Sequence, residues 1–342
     1  MRIRDYGIVI GKLPTGKLNK ISDVPGVTVG HSTIISEKHQ TGVSVVMPCP
    51  ENPFIYKLPC ASFVWNGFGK TAGLVQIDEL GTLETPIALT NTLNVGKVHD
   101  AMVGYMIDRC AKDGKKLASV NPVVCETNDS SLNNIRERAV EEKHVLEAIA
   151  DAKEDFEEGA VGCGRGTSCH GMKAGVGSAS RLVEIDGKTY TVGVFMQTNH
   201  GKLTDFMING DRIGERINIE QTKNLPDQGS CIIILATDLP VSDRQLKRII
   251  KRCSVGLARL GSFVGHGSGE VFIGFSTANK RDPAVNTYIY PTVGMSDDCL
   301  DIVFRAAAEA TEEAELNSLV AAERVSGNGR TRHPLSEYLG KV

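Results

Sequence analysis

The chain has 342 residues, of which 41% are hydrophobic and 23% charged, and its formal net charge is −3. This length suffices for a large buried core, and the composition is that of a globular protein. The small net charge argues against nucleic acid or an anionic membrane as a partner, because chains that bind either usually carry a basic excess.

The first half of the chain predicts strands and helices in mixed order. Residues 21–31 are expected to be two strands around a turn at Pro25-Gly26, and residues 41–47 another strand. Helical spacing of apolar residues predicts a helix over residues 93–112 and a more polar one over 134–153. Residues 190–196 alternate as in a half-buried strand.

The last third continues this mixture. Residues 231–235 are an apolar run, β-branched at its centre, which suits a strand covered on both faces. Ser242 is a candidate N-cap for a helix that reaches Leu260, residues 271–276 predict another strand, and residues 297–323 a long helix rich in Ala and Glu. Helices that cover the faces of sheets, an α/β sandwich, are therefore expected.

The sequence predicts neither secretion nor membrane insertion. Its start has no uninterrupted apolar stretch with a small-residue cleavage site, and no apolar run reaches the roughly 18 residues of a membrane helix. Nine scattered cysteines fit reduced thiols in the core of a cytoplasmic enzyme. Cys163, Cys169 and His170 lack a usual zinc-ligand spacing, so we expect no metal and no cofactor.

Glycine is the compositional outlier, with 36 residues, many of them in clusters. These clusters indicate tight turns and close backbone approaches, because glycine costs up to about 1 kcal/mol in a helix interior. Residues 159–168 and 173–177 suggest phosphate binding at first sight. They lack the G-x-x-x-x-G-K-[ST] pattern, however, so a nucleotide role is not favoured.

Ser230 is the candidate nucleophile. It follows a loop with Pro, Asp and Gly over residues 224–229 and directly precedes the apolar strand, so a strand-initiating serine is the plainer interpretation. The unhindered carbonyl of Gly229, however, could be attacked by the neighbouring Oγ, and hydrolysis of the resulting ester would leave Ser230 with a free α-amine. An α-amine, with an ordinary pKa of about 7.7–8.0, can act as the base for its own hydroxyl.

Four other residues could support this chemistry. Ser268 and Glu270 are two apart in a glycine-rich segment, so they would face the same side of an extended chain. Asn199 lies at a strand exit and could donate its amide to a developing oxyanion. Glu126 follows an apolar run and could hold a substrate ammonium. Each also has a structural interpretation, as part of a glycine-rich turn, a turn asparagine or a solvated carboxylate at a strand end.

Taken in order, these motifs resemble one family, the L-aminopeptidase/D-esterase (DmpA-like) and β-peptidyl aminopeptidases, which are self-processing serine aminopeptidases. The resemblance covers nearly the whole chain. It rests on residues 22–31, 65–69, 86–92, 126–129, 162–166 and 173–177, on Gly229-Ser230, on residues 267–270 and on Asn279.

The resemblance implies a four-layer αββα sandwich, similar to N-terminal-nucleophile hydrolases but with different connectivity. It implies a single domain over residues 1–342 that cuts itself into an α chain, 1–229, and a β chain, 230–342. The two chains are expected to stay together and to form homo-oligomers, often tetramers of the αβ unit.

The resemblance also implies a role for each site residue. Ser230 matches the nucleophile, Asn199 the oxyanion-hole asparagine, and Ser268 and Glu270 the pair that orients and assists the nucleophile. Glu126 matches the acidic residue that receives the substrate's α-ammonium. The implied reaction is hydrolysis of N-terminal aminoacyl amides, short peptides or esters through an acyl-enzyme on Ser230.

Two further residues, Asn128 and Gly267, are expected to contribute to substrate binding. Asn128 stands where some relatives carry a tyrosine. A mechanism that depends on that tyrosine hydroxyl is therefore not expected here.

Three alternatives stay open. An acyltransferase of the ornithine acetyltransferase type shares the architecture and the self-cleavage but uses threonine, which Ser230 disfavours. An uncleaved, non-catalytic ligand-binding protein would have kept the fold and lost the chemistry. A metalloenzyme that uses His170, His200 and His266 should lose activity with a chelator, and we expect no such loss.

Overall fold

Residues 1–217, 229–281 and 287–340 are described by a computed structural model. In chain order, the strands and α-helices of these residues are β1 (Thr28–Ile35), β2 (Gln40–Met47), β3 (Leu58–Gly67), α1 (Leu74–Leu80), β4 (Thr82–Leu83), β5 (Ile87–Asn91), α2 (Val95–Lys112), β6 (Val123–Thr127), α3 (Glu142–Ala150), β7 (Ser168–Cys169), β8 (Met172–Lys173), β9 (Val176–Ile185), β10 (Lys188–Asn199), α4 (Ile213–Arg216), β11 (Ser230–Thr237), α5 (Asp243–Ile250), α6 (Cys253–Arg259), β12 (Gly269–Ser276), α7 (Leu300–Val320), β13 (Val325–Gly327) and β14 (Arg330–Arg332).

Two sheets form the centre of the fold. The smaller has the strand order β1-β2-β5-β6, and the larger has the order β4-β3-β12-β11-β10-β9. Each sheet contains one parallel pair, β5 with β6 and β11 with β12, among otherwise antiparallel neighbours. The β11–β12 pair lies in the middle of the larger sheet, where both strands are buried along their whole length.

Successive side chains on each strand point to opposite faces of the sheet, and the apolar ones form three cores, one between the sheets and one on each outer face. Ile87 and Leu89 of β5 and Ile234 of β11 point into a core between the two sheets. Ala88 points the other way, into a core that α2 and α3 cover, and Ile233 points into a core that α5, α6 and α7 cover. Because side chains alternate with a period of two, each sheet contributes to two cores. The αββα sandwich is therefore confirmed.

Most predicted elements are present, with shifts at their ends. The strands at 41–47, 190–196, 231–235 and 271–276 and the helix at 93–112 are confirmed as β2, β10, β11, β12 and α2. Ser242 caps α5 as predicted, since its Oγ accepts a hydrogen bond from the Gln245 N–H at 3.2 Å. The predicted helix from Ser242 to Leu260 is, however, divided into α5 and α6, and the long C-terminal helix begins at Leu300 after a 3-10 turn.

Two predictions were partly wrong. Residues 21–23 form a 3-10 turn instead of a strand, because the Asp23 carboxylate accepts the N–H groups of Leu18 and Lys20 and bends the chain there. Of the helix predicted over 134–153, only α3 is α-helical. Arg138 adopts a left-handed backbone, with φ of 49°, which ends the turn before it.

The glycine-rich segments 159–168 and 173–177 enclose a buried lysine. Lys173 Nζ donates to the carbonyls of Gly164 at 3.0 Å and Thr167 at 2.9 Å, and also to that of Ala174. Burial lowers the pKa of this amine well below its usual range. Because the amine is occupied by carbonyl groups, the disfavoured nucleotide role gains no support. The glycines serve close backbone packing, since a Cβ on Gly164, Gly166 or Gly175 would lie 2.5 Å or less from a main-chain atom.

Among the described residues, no helix combines the length and apolarity needed to cross a bilayer.

Candidate active site

Three strand ends of the larger sheet meet at Ser230. Ser230 is the first residue of β11, where it pairs on one side with Asn199, the last residue of β10, and on the other side with Gly269, the first residue of β12. Ser268 directly precedes Gly269. The strand register therefore brings three predicted catalytic residues together.

The peptide bond before Ser230 has a distinctive environment. Ser230 Oγ lies 2.6 Å from the carbonyl oxygen of Gly229, and the same oxygen accepts the Gly269 N–H at 3.0 Å. A Cβ at position 229 would overlap the carbonyl oxygen of Asn199 and approach His200 Cα to 2.8 Å. Only glycine therefore fits at position 229, and its carbonyl is both polarised by an N–H donor and close to a hydroxyl.

Ser268 and Glu270 lie on the adjacent strand, and both are buried. Ser268 Oγ donates a hydrogen bond to Glu270 Oε1, so the expectation that they share one side of an extended segment is confirmed. Asn66 of β3 holds the preceding turn, since its Nδ2 donates to the carbonyls of Gly265 at 3.2 Å, His266 at 3.3 Å and Ser268.

Asn199 is oriented by β7. The Ser168 N–H donates to Asn199 Oδ1 at 3.1 Å. Because a backbone N–H only donates, the accepting atom must be the amide oxygen, and the NH₂ group remains as the donor of this side chain. Asn199 lines the pocket beside Ser230, as a residue that donates to an oxyanion there would have to do.

A pocket of about 490 Å³ opens onto Ser230. Glu126, at the end of β6, lies in its wall and is only 2% exposed. Its Oε1 accepts the Lys70 N–H at 3.1 Å, and its Oε2 accepts the Thr92 hydroxyl. Two fixed donors hold the carboxylate in one orientation, and a ligand with a positive charge is the natural partner of such a buried anion.

The structure gathers the residues predicted from the sequence. Six of them line the pocket: Glu126, Asn128, Asn199, Gly229, Ser230 and Gly267. The other two, Ser268 and Glu270, are buried at the start of β12 beside Ser230.

Sequence reasoning missed several supporting residues. Thr92 falls in one of the motifs quoted above, yet nothing in its local pattern indicates that it donates to Glu126. Asn66 falls in the quoted motif 65–69 and Ser168 ends the glycine-rich segment 159–168, yet neither pattern indicates their contacts with distant strands. Arg330 and Arg332 also line the pocket and come from the C-terminal hairpin.

Two of the three histidines considered for a metalloenzyme come together beneath this site. The rings of His170 and His200 lie 5.7 Å apart and face Glu315 of α7, with Cys169 beside them. Burial disfavours the charge of Glu315, but the neighbouring His200 and His170 lower its pKa to about 2. His266 does not belong to this group.

Comparison with known proteins identifies the family. The model of peptidase family S58 matches residues 19–332. The chain belongs to peptidase family S58.

Individual relatives are similar to this chain over most of their length. The β-peptidyl aminopeptidase BapA of Sphingosinicella microcystinivorans is 38% identical, over 96% of this chain and 88% of the relative. The crystal structure of the PH0078 protein from Pyrococcus horikoshii OT3 is 43% identical, with a TM-score of 0.92 over 99% of this chain and 98% of that one.

The third relative relates the fold to a reaction type. The L-aminopeptidase D-Ala-esterase/amidase from Ochrobactrum anthropi is 33% identical, with a TM-score of 0.91 over 98% of each chain. It is described as a prototype for the serine aminopeptidases and as a new variant of the Ntn hydrolase fold. This S58 chain is accordingly a serine aminopeptidase of the N-terminal-nucleophile type. The predicted fold and enzyme class are confirmed, and the acyltransferase and binding-protein alternatives gain no support.

The role of Asn66 can be tested with two substitutions. Asn66→Ala removes the donor that three carbonyl groups share, so the turn before Ser268 loosens and kcat should fall by about tenfold or more. Asn66→Asp keeps the shape of the side chain but directs a carboxylate at the same carbonyl oxygens, so kcat should fall further in this variant than in Asn66→Ala. Hydrolysis of an aminoacyl p-nitroanilide measures both, with Asn134→Ala, at a half-buried residue outside the pocket, as the control. Wild-type kcat in Asn66→Asp would contradict this role.

Proposed function

We propose that this S58 peptidase cuts itself between Gly229 and Ser230 and then removes N-terminal aminoacyl groups from amides, short peptides or esters. The observation that carries the proposal is the 2.6 Å approach of Ser230 Oγ to the Gly229 carbonyl, whose oxygen also accepts the Gly269 N–H. The loop over residues 224–228 lies outside the described residues.

Self-cleavage balances without a cofactor. Ser230 Oγ attacks the carbonyl carbon of Gly229 while the hydroxyl proton passes to the departing nitrogen. The C–N bond breaks, and an ester joins Gly229 to Ser230 Oγ. Water then hydrolyses this ester, leaving a carboxylate on Gly229 and a free α-amine and hydroxyl on Ser230. Gly269 N–H stabilises the negative charge that develops on the carbonyl oxygen in both steps.

Substrate hydrolysis reuses the same donors. Once the carbonyl of Gly229 has left, the substrate carbonyl takes its position against Gly269 N–H, with Asn199 Nδ2 as a second donor. The Ser230 α-amine accepts the hydroxyl proton during attack and returns it to the leaving group, and water releases the acyl group. Ser268 and Glu270 orient Ser230 from the adjacent strand.

Glu126 makes the enzyme an aminopeptidase in this proposal. A free α- or β-amine of the substrate places its ammonium against the buried carboxylate, whereas a blocked amine would leave that charge without a counterion. Asn128 and Gly267 line the same pocket and contact the acyl group. The relatives named for β-peptides and for L-amino acids support the choice of aminoacyl substrates.

Denaturing intact mass of fresh protein tests self-cleavage. We expect two fragments that meet at Gly229/Ser230 in the wild type and one full-length chain in Ser230→Ala, because only the hydroxyl can attack. Ser254→Ala, at a serine outside the site, should process as the wild type does. If the folded wild-type chain stays intact, Ser230 has no free α-amine to act as the base. The proposal would then be wrong, and the ligand-binding alternative would be favoured.

Substitution of Glu126 tests amine recognition. Glu126→Gln should lower kcat/KM for aminoacyl p-nitroanilides by about 10- to 100-fold, the value of a charge-assisted hydrogen bond, and should leave self-cleavage intact. The matched control is Glu84→Gln, which replaces a buried carboxylate that binds Lys57 and Asn121. Equal losses in both variants would assign Glu126 a structural role only.

We further propose a cytoplasmic homo-oligomer, a tetramer of αβ units. All nine cysteines are free, which suits a reducing compartment, and Tyr288, Ile289 and Val293 form an exposed apolar segment that suits a subunit interface. Light scattering should give four times the mass of one chain, and replacing Tyr288 and Ile289 by serine should lower it. A monomeric wild type would contradict this assembly.

A further inference from the structure

Four potential metal ligands converge beneath the active site. Cys169 ends β7, His170 follows it, His200 follows β10, and Glu315 lies on α7. All four side chains are buried, and their ligand atoms lie within 4.8 Å of one another. The residues come from three distant parts of the chain, so no spacing in the sequence indicates the cluster.

The distances between the ligand atoms bracket those around a tetrahedral ion. Cys169 Sγ lies 3.6 Å from Glu315 Oε1, His170 Nε2 lies 2.8 Å from the same oxygen, and His200 Nε2 lies 3.5 Å from Glu315 Oε2. Around zinc bound at about 2.0 Å by nitrogen or oxygen and about 2.3 Å by sulfur, neighbouring donors stand roughly 3.3–3.5 Å apart. To complete such a site, His170 Nε2 and Glu315 Oε1 would move apart by about 0.5 Å, and the more distant ligand atoms, which lie within 4.8 Å of one another, would move together by up to about 1 Å.

The hydrogen bonds leave room for a cation. His170 Nδ1 donates to the Lys202 carbonyl at 3.2 Å, so Nε2, which lies 2.8 Å from Glu315 Oε1, is the ring nitrogen that would bind a proton or an ion. His200 Nδ1 and Nε2 and Glu315 Oε2 have no hydrogen-bond partner among the described residues. Two acceptors that face each other in a buried site require a proton or a metal ion between them.

We propose that Cys169, His170, His200 and Glu315 bind one zinc ion or a similar first-row divalent cation. A thiolate with two imidazoles and one carboxylate is a donor set that suits zinc and disfavours magnesium and calcium. All four positions are taken by protein, so the site is structural and the hydrolysis stays with Ser230. This proposal goes against the sequence-based expectation of no metal, which considered the spacing of Cys163 and Cys169.

The ion would fasten β7 to the end of β10. His170 N–H donates to the His200 carbonyl at 2.7 Å, and Ser168 N–H holds the Asn199 amide. Ligands at 169, 170 and 200 therefore flank both residues of the Ser168–Asn199 contact. The four ligands act as positioning residues for Asn199, and this role is independent of the self-cleavage proposed above.

Metal analysis tests the site directly. The protein is produced without a histidine tag in defined media that contain Zn²⁺ or Co²⁺, so that the buried site is loaded during folding, and is then desalted in the presence of chelator. We expect about one metal per chain in the wild type and in Cys299→Ser, and about a tenth of that or less in Cys169→Ser and in Glu315→Gln. The Co²⁺ form should show tetrahedral d–d bands and a thiolate charge-transfer band that Cys169→Ser abolishes.

The wild-type measurements decide the matter even where a variant fails to fold. A wild-type protein free of metal in both media would overturn the proposal and would leave an ion-pair cluster of imidazolium and carboxylate. Metal that persists in Cys169→Ser, or a cobalt form without a thiolate band, would also overturn the four-ligand site. Both outcomes can be read without any assay of activity.

Discussion

The register of β10, β11 and β12 is the constraint on which the site depends. Asn199, Ser230 and Gly269 are neighbours only because β11 pairs with both flanking strands in this alignment. A shift by one residue would turn Ile232 and Ile234 out of the core between the sheets and Ile233 into it. The packing of both faces of β11 therefore fixes the register, and the register places Ser230, the proposed nucleophile, beside Asn199 and Gly269, the proposed oxyanion donors.

Close backbone approach explains why glycines surround this register. A Cβ on Gly229 would overlap the carbonyl oxygen of Asn199. A Cβ on Gly269 would lie 2.5 Å from the carbonyl oxygen of Phe68. These positions bring main-chain donors and carbonyl groups nearer than any side chain allows. Gly269 N–H donates to a carbonyl of the chain itself, and in the proposed mechanism the same donor later serves a substrate carbonyl.

Local patterns predicted the elements that carry the reaction but not the contacts that hold them. The apolar run of β11 and the two-residue spacing of Ser268 and Glu270 depend only on strand periodicity. The local sequence was therefore sufficient to predict the strand and the shared side of these two residues. The donors to Glu126 come from Lys70 and Thr92, which reach it through the packing of β3, β5 and β6. Nothing local distinguishes these residues, because their role follows from which strands become neighbours.

The prediction at residues 21–31 was partly wrong for a related reason. Alternating apolar residues around Pro25-Gly26 favoured two strands, whereas Asp23 recruits two backbone N–H groups and the Ile21 N–H donates to Ser178 Oγ on β9. A tertiary hydrogen bond and a local carboxylate outweigh the β propensity of the segment.

Helix α7 shows how the two proposed chains would stay together after cleavage. Its Ala- and Glu-rich sequence predicted a helix, but Glu309, Glu313 and Glu315 are buried. Arg181 binds Glu309 at 3.3 Å and Glu313 at 2.7 Å, and these two pairs join the segment before Gly229 to the segment after it. Removing one partner of a buried ion pair destabilises a protein by about 3–5 kcal/mol. Separating the two chains would break several such pairs at once, so the chains should stay associated.

Glu315 differs from the other two glutamates in its partners. Glu309 and Glu313 are compensated by arginine, which is always charged, whereas Glu315 faces His170 and His200, which carry charge only when protonated. Charge balance at Glu315 therefore requires either a proton held on a buried imidazole or a cation among the four side chains. In both cases the contact joins α7 to the residue after Asn199, so the proposed association of the two chains and the proposed oxyanion donor would be coupled through one buried carboxylate.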